Sequence, residues 1–227
     1  EQVTVDDHCA HLQPYEQFEP DAAVEWQWLG STEESEFDQV IVAPVVLNLT
    51  DDDGDGAIDG DDVPDVVFAT MTDGLFSDGV VRAVSGADGT ELWTASDNGL
   101  RVWPNTQQAA AELDPAHDGP EIVLINTAGE IVCLDRHGAE LWRTDPDDGL
   151  DNKSAPAIHD MNADGFPEVI VGRVILSSFG EILGIGEHGR ASNENRGALS
   201  FAVDIDADGE LEVITGNAAY DIQGDTE

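Results

Sequence analysis

Short runs rich in Val and Ile, closed at both ends by Gly, Asp, Asn or Pro, recur along this chain of 227 residues. Val63–Ala69, Glu121–Ile125, Glu168–Val171 and Glu212–Thr215 are the clearest. Each is long enough for a strand and too short for a helix, and no convincing stretch places apolar residues at i, i+3, i+4 and i+7. The pattern predicts an all-β chain of short strands separated by turns.

The runs belong to a longer repeat. Ala155–Gly172 matches Phe201–Gly216: an apolar start, an Asp-rich turn, a Glu, then Val-Ile. Ala43–Thr70 is the same unit with a longer turn, and Ala110–Asn126 is a degenerate copy. The acid that opens each run marks the period: Asp65, Glu121, Glu168 and Glu212 are separated by 56, 47 and 44 residues. A second element alternates with the first. Ser85–Trp93 matches Asp135–Trp142, each a Gly turn followed by Glu-Leu-Trp, while Ser178–Leu183 and Asp221–Glu227 repeat it without the Trp. These read as hairpins. Four short strands in about 45–55 residues is the size of a propeller blade. A lone blade cannot bury both faces of its sheet, so blades must stack around an axis, and the recurring Trp is expected to pack between them. Residues 1–23 read as an N-terminal extension and 24–227 as the repeats, with units near 40–97, 98–147, 154–190 and 198–227. Val24–Trp28 resembles an outer Trp strand without partners, so 24–29 is expected to complete the last blade and remove an open edge. A partner chain completing the propeller is the other way to cover such an edge.

The turns in front of the apolar runs carry the chemistry. In the first, acids fall at loop positions 1, 3, 5, 9 and 12 (Asp51, Asp53, Asp55, Asp59 and Asp62), with Gly56 at the sharp turn and Ala57 offering its carbonyl. Two shorter versions follow. One has Asp160, Asn162, Asp164 and Glu168 with the Phe166 carbonyl; the other has Asp204, Asp206, Asp208 and Glu212 with the Glu210 carbonyl. Calcium is a hard cation that takes six to eight oxygens, and alternate residues of a tight loop aim carboxylates at one centre. About three Ca2+ sites are expected, so the predicted fold is a β-propeller, or propeller segment, of about four four-stranded blades with calcium-binding loops. Zinc would want His or Cys, and magnesium a stricter octahedron. The second unit, with Glu112, Asp114, His117 and Asp118 in altered spacing, reads as a metal-free turn.

Charge sharpens this picture. Eight Lys+Arg against 49 Asp+Glu give a net charge of −41. Nucleic acid is a poor partner, because its binding rests on Lys and Arg neutralising phosphates. No apolar stretch approaches the roughly 20 residues of a membrane helix, so no membrane insertion is expected. Cys9 and Cys133 make no disulfide framework but can pair with each other. His8, Cys9 and His11 form a short ligand-like cluster, and Asn48 and Asn152 begin glycosylation sequons.

The Asp-x-Asp/Asn-x-Asp-Gly-x-x-Glu loop followed by Val-Ile resembles the FG-GAP/VCBS repeat family, the propeller type of integrin α subunits, over roughly residues 40–227. The Gly-turn-Glu-Leu-Trp hairpins are similar to quinoprotein-type propeller repeats. The first resemblance implies calcium ligation by Asp51, Asp53, Asp55 and Asp59, by Asp160, Asn162, Asp164 and Glu168, and by Asp204, Asp206, Asp208 and Glu212. It also implies a ring of commonly seven blades and a secreted, extracellular or cell-surface location, in bacteria. The expected role is a non-catalytic adhesion or binding module for a protein or glycan. A polysaccharide-active enzyme domain and a structural subunit of an extracellular assembly are the alternatives. A lyase needs a base and cationic groups at the developing charge, and so few Lys and Arg make that harder. Gly184–Gly189 spells a dinucleotide fingerprint, but Arg190–Gly197 reads as loop rather than the helix such a site needs. Trp103 and Phe76 are aromatics that can stack on sugar, with packing the simpler role.

Overall fold

A computed structural model describes residues 23–73, 78–148, 150, 154–188 and 199–225. Strands form where the apolar runs lie, and they group into four antiparallel meanders, each paired in chain order. Blade 1 holds β1 (Val45–Leu47), β2 (Asp65–Met71), β3 (Gly79–Val84) and β4 (Glu91–Ala95). Blade 2 holds β5 (Ala109–Ala111), β6 (Glu121–Ile125), β7 (Ile131–Leu134) and β8 (Glu140–Thr144). Blade 3 holds β9 (Pro156–His159), β10 (Glu168–Val171), β11 (Val174–Leu176) and β12 (Ile182–Ile185). Blade 4 has three strands among the described residues: β13 (Ser200–Val203), β14 (Glu212–Thr215) and β15 (Ala218–Tyr220). The second strand of blade 1 begins at Asp65, not Val63. Pro64, between them, has no N–H for a ladder.

The second and third strands of each four-stranded blade are almost wholly buried, as β6 and β7 are. Both faces of these strands are covered, by neighbouring blades and, on the outer side of blade 1, by the segment holding Trp28, Glu34 and Phe37. Leu49, Val67 and Ala69 of blade 1 join Ile122, Leu124, Val132 and Leu134 of blade 2 in one apolar cluster. The other face of blade 2, with Leu113, Val123 and Ile125, joins Val169, Val171 and Val174 of blade 3. Ile170 and Ile175 of blade 3 then meet Val213 of blade 4 in a smaller cluster. Period-2 alternation thus sends one parity of each strand to the preceding blade and the other to the following one.

Indole rings lock the seams. Trp93 on β4 donates its Nε1–H to the carbonyl of Arg136 in the β7–β8 turn, 2.8 Å away, and its ring covers Gly138. Trp142 on β8 does the same to Ser178 at 2.9 Å, over Gly180 in the β11–β12 turn. Both turn glycines have positive φ, and a Cβ on either would sit under 3.0 Å from the indole. A register shift at Ala83/Val84, Cys133/Leu134 and Ile175/Leu176 bulges the outer strand pair at the same place in three blades. Such bulges re-aim side chains. At the third seam the equivalent outer-strand residue is Gly184, which pairs with Ile175 as Trp93 pairs with Ala83. There the β15-side turn approaches backbone to backbone: a Cβ on Gly184 would fall 2.3 Å from Gln223.

Residues 24–29 carry no strand pairing among the described residues. Trp26 instead donates to the carbonyl of Gly86, 2.7 Å away, and lies over Gly89 in the β3–β4 turn of blade 1. It therefore occupies the position of an outer-strand Trp from a blade preceding blade 1. Trp28 stands edge-on to Phe68, and Arg82 crosses over its ring. Arg82, fully buried on β3, donates to the carbonyls of Glu34 and Phe37 and to Thr70 and Thr94. Burial lowers its pKa, against the raising influence of Glu91 and its neighbours.

Candidate functional site

The strand-leading acid does one job in all four blades. Asp65, Glu121, Glu168 and Glu212 each accept the backbone N–H of a residue in the preceding loop: Leu49 at 2.9 Å, Leu113 at 2.7 Å, Met161 at 2.8 Å and Ile205 at 2.9 Å. All four acids are buried. A carboxylate taken out of water needs such donors. Burial nevertheless pushes the Glu168 carboxyl above its usual range, with Asp164 and Asp160 adding to the rise.

The loops of blades 1, 3 and 4 share one internal scheme. The first Asp uses both oxygens. Asp51 accepts from Gly54 and Gly56, Asp160 from Asp164 and Gly165, and Asp204 from Ala207 and Gly209. The third residue accepts from the fifth: Asp53 from Asp55, Asn162 from Asp164, Asp206 from Asp208. The fifth accepts from the seventh: Asp55 from Ala57, Asp164 from Phe166, Asp208 from Glu210. The fourth and sixth residues are left-handed throughout, as Gly54 and Gly56, Ala163 and Gly165, Ala207 and Gly209. Alanine tolerates that region poorly, so its presence at Ala163 and Ala207 shows that the surrounding bonds impose the turn. Each carboxylate at the first, third or fifth position has about four acceptor positions and spends only one or two on N–H groups.

The loops differ in how closely they gather oxygens. In blade 1, oxygens of Asp51, Asp53 and Asp62 lie within 4.8 Å of one another; in blade 4, those of Asp204, Asp206 and Glu212 do. Asp55, Asp59 and Asp208 lie outside those groups. In the third loop Asn162 turns its amide toward Glu168 Oε1 at 3.3 Å, and the loop forms no such acidic triad. Ala57, Phe166 and Glu210 occupy the seventh position of their loops. Asp62 is nearly buried, and the N–H groups of Asp59, Asp52 and Asp53 that it accepts hold its carboxyl below the usual carboxylate range. Loop closure and strand anchoring are thus separate in blade 1, done by Asp62 and Asp65. In blades 3 and 4 a single Glu serves both. A signal for Asp65 was present in its place in the repeat, but the longer loop moved the closing acid upstream.

Blade 2 fills the same place differently. His117 Nδ1 lies 3.2 Å from Glu121 Oε1 and 3.8 Å from Asp114, so an imidazole faces the strand acid where other loops present only oxygens. Glu112 nearby is raised in pKa by burial and by Glu121 and Asp114.

Cys133 is a free, fully buried thiol on β7, and burial raises its pKa far above the ordinary range. Cys9, the cluster with His8 and His11, Phe76, Asn152, and Gly189 of the glycine fingerprint lie outside the described residues. Trp103 is half-buried. The five arginines among the described residues are all engaged: Arg82 with carbonyls, Arg101 with Glu34, Arg136 with Asp118 and the Leu49 carbonyl, Arg143 with Glu130 and Glu140, Arg173 with Asp148. No helix among them is long and apolar enough to cross a membrane.

Residues 77–220 match the family described as outer membrane protein assembly factor BamB, a quinoprotein-type propeller repeat. Among solved structures, the V. cholerae biofilm matrix protein Bap1 superposes with a TM-score of 0.77 at 31% identity, over 90% of this chain and 33% of that one. The exotype rhamnogalacturonan lyase YesX superposes with a TM-score of 0.54 at 16% identity, over 87% of this chain and 42% of that one. The chain spans about a third of the matrix protein and two fifths of the lyase. No curated protein sequence matches. The likeness to the lyase is one of fold alone.

Proposed function

We propose, for a chain that belongs to the BamB family of quinoprotein-type propeller repeats, the role of a calcium-stabilised, non-catalytic module that binds or builds structure outside the cell. The observation that carries the reading is the loop scheme repeated in three blades. Closely matching hydrogen bonds and left-handed residues at the same two positions shape all three loops, and in blades 1 and 4 they draw three acids within 4.8 Å, in a chain with almost no cations to neutralise them. Like charges gathered this closely repel, and a hard divalent ion is the species that removes the cost. Asp51, Asp53 and Asp62 would hold one ion, joined by Asp55, Asp59 and the Ala57 carbonyl. Asp204, Asp206 and Glu212 would hold another, with Asp208 and the Glu210 carbonyl. Asp160, Asn162, Asp164 and Glu168, with the Phe166 carbonyl, would hold a third once the Asn162 side chain turns its oxygen inward. Bound calcium supplies charge and rigidity here, not chemistry. These loops are the part of the molecule that resembles FG-GAP/VCBS repeats.

An extracellular setting is supported by the likeness to a biofilm matrix protein and by the acidic surface. The ligand class we favour is a glycan or protein of such a matrix. A polysaccharide lyase is less well supported, since the described arginines are already committed to carboxylates and carbonyls within the fold.

Calorimetric titration of chelator-treated protein with calcium tests the metal reading. About three ions should bind, and excess chelator should lower the melting temperature, because the folded loops and not the unfolded chain would hold the ion. Asp53→Ala should remove one ion from the stoichiometry. An unchanged melting temperature in excess chelator would end the proposal.

A further inference from the structure

The seam between blades 3 and 4 is open at a place where the two earlier seams are filled. The repeat puts the same three positions there each time: the residue two before the strand acid, and the second and third residues of the turn that leads to the outer strand. Between blades 2 and 3 these are Phe166, Ser178 and Phe179. The two rings stand 5.8 Å apart, centre to centre. Beside them Phe179, Trp142 and Leu113 leave a cavity of only about 20 Å³. Between blades 1 and 2 the positions hold Gly119, Arg136 and His137. The Arg136 side chain fills the gap, donating to the Leu49 carbonyl at 2.9 Å and lying close over Gly119. Between blades 3 and 4 they hold Glu210, Ile222 and Gln223. A cavity of about 300 Å³ remains there, between the loop of blade 3 and the loop and turn of blade 4. Its lining holds no aromatic and no cationic side chain. Both walls are built from described residues of these two adjacent blades.

We propose that this cavity binds one neutral sugar residue of a glycan chain. Its floor is part of the apolar cluster of the seam, Met161, Leu211 and Ile222. Such a floor suits the C–H face of a pyranose ring. Its rim carries Asn162, Asp208 and Gln223, all exposed. They offer carboxylate and amide oxygens to which ring hydroxyls donate, and amide N–H groups that donate in return. Apolar walls with a few converging polar groups, at this volume, make a small-molecule site. A uronate or sulfated sugar would bring negative charge to a lining of acids without Lys or Arg, and should be rejected. The inference deepens the binding role proposed above by naming a place and a ligand class, and rests on that role for its choice of a glycan over a peptide. It does not rest on calcium, because Met161, Leu211, Ile222 and Gln223 are ligands of no proposed ion.

Amide chemical shifts of the chain in millimolar calcium chloride test it, titrated with methyl glycosides of glucose, galactose, mannose and N-acetylglucosamine, with glucuronate and with trilysine. At least one neutral glycoside should shift Ala163, Gly209 and Gln223 with a millimolar Kd, and glucuronate should bind at least about tenfold more weakly. Gln223→Ala should weaken binding about fivefold through one lost hydrogen bond. Glu210→Phe combined with Gln223→Phe installs the ring pair that blade 3 carries at the same positions. That variant should lose binding while its melting temperature and calcium stoichiometry stay as in the parent. Binding retained by it, or shifts confined to residues elsewhere, would overturn the cavity and leave the glycan role standing. No shift with any neutral glycoside would overturn the cavity and the glycan class together, and shifts with trilysine in their place would assign the cavity to a basic peptide.

Discussion

Single atoms decide two of the turns. Gly165 has φ +89° and nothing within 4 Å of where a Cβ would stand, so Gly165→Ala pays only for the left-handed backbone, about 1–2 kcal/mol. Gly138 has φ +79°, and its Cβ would meet Trp93 at 2.8 Å. Gly138→Ala carries the same backbone cost and also pushes the indole off its carbonyl, so it should cost about 3 kcal/mol or more. Urea denaturation of both variants checks the order; equal losses would show that the indole contact holds nothing. Cys133 gives a second test at this scale. A buried thiol with a strongly raised pKa stays protonated at pH 8 and is a poor nucleophile. It should ignore thiol reagents in the native protein and react fully in denaturant, as a colorimetric thiol assay would read.

At the level of strands and loops, much is legible in the sequence. Glu121–Ile125, Glu168–Val171 and Glu212–Thr215 are strands at the bounds their apolar runs predict, because a buried middle strand is apolar on both sides and shows as an unbroken run. The inner strands are short and half-buried, so they left only a repeat position and no run of their own. The segment 24–41 was the least legible, since its order comes from long-range bonds. Trp26 was readable as an outer-strand Trp, but the blade it would serve was not. The bonds from Arg82 to the carbonyls of Glu34 and Phe37 span 48 and 45 residues and have no local signature. Arg82→Met should keep most of the packing and lose those bonds, at about 3 kcal/mol. Limited proteolysis should then cut near residues 34–41 faster than in the parent. Arg82→Lys should restore little, because a single ammonium cannot reproduce the planar fork.

For the molecule as a whole, stability should follow position in the arc. Blade 2 is packed on both sides, while blade 4 is packed on one and shares the smallest apolar cluster. Repeat arrays of this kind open from their weakest neighbour contacts. Hydrogen exchange should therefore be slowest in β6 and β7 and fastest in β13 to β15 among the described strands. Uniform protection would mean that the blades unfold as one unit. Net charge acts at the same scale. With −41 on the chain, sodium chloride should raise the melting temperature by screening alone. Calcium at matched ionic strength should raise it further if the loops hold the ion.

The glycine at position 184 has a mechanical corollary. Two seams are riveted by an indole over a glycine, while at the third main chain lies against main chain at Gly184 and the phenol ring of Tyr220, with no indole, stands over Gly186. Under tension applied through the ends, that third seam should part first, so an optical-trap trace would begin with a small rip from the final sheet before the riveted blades give way.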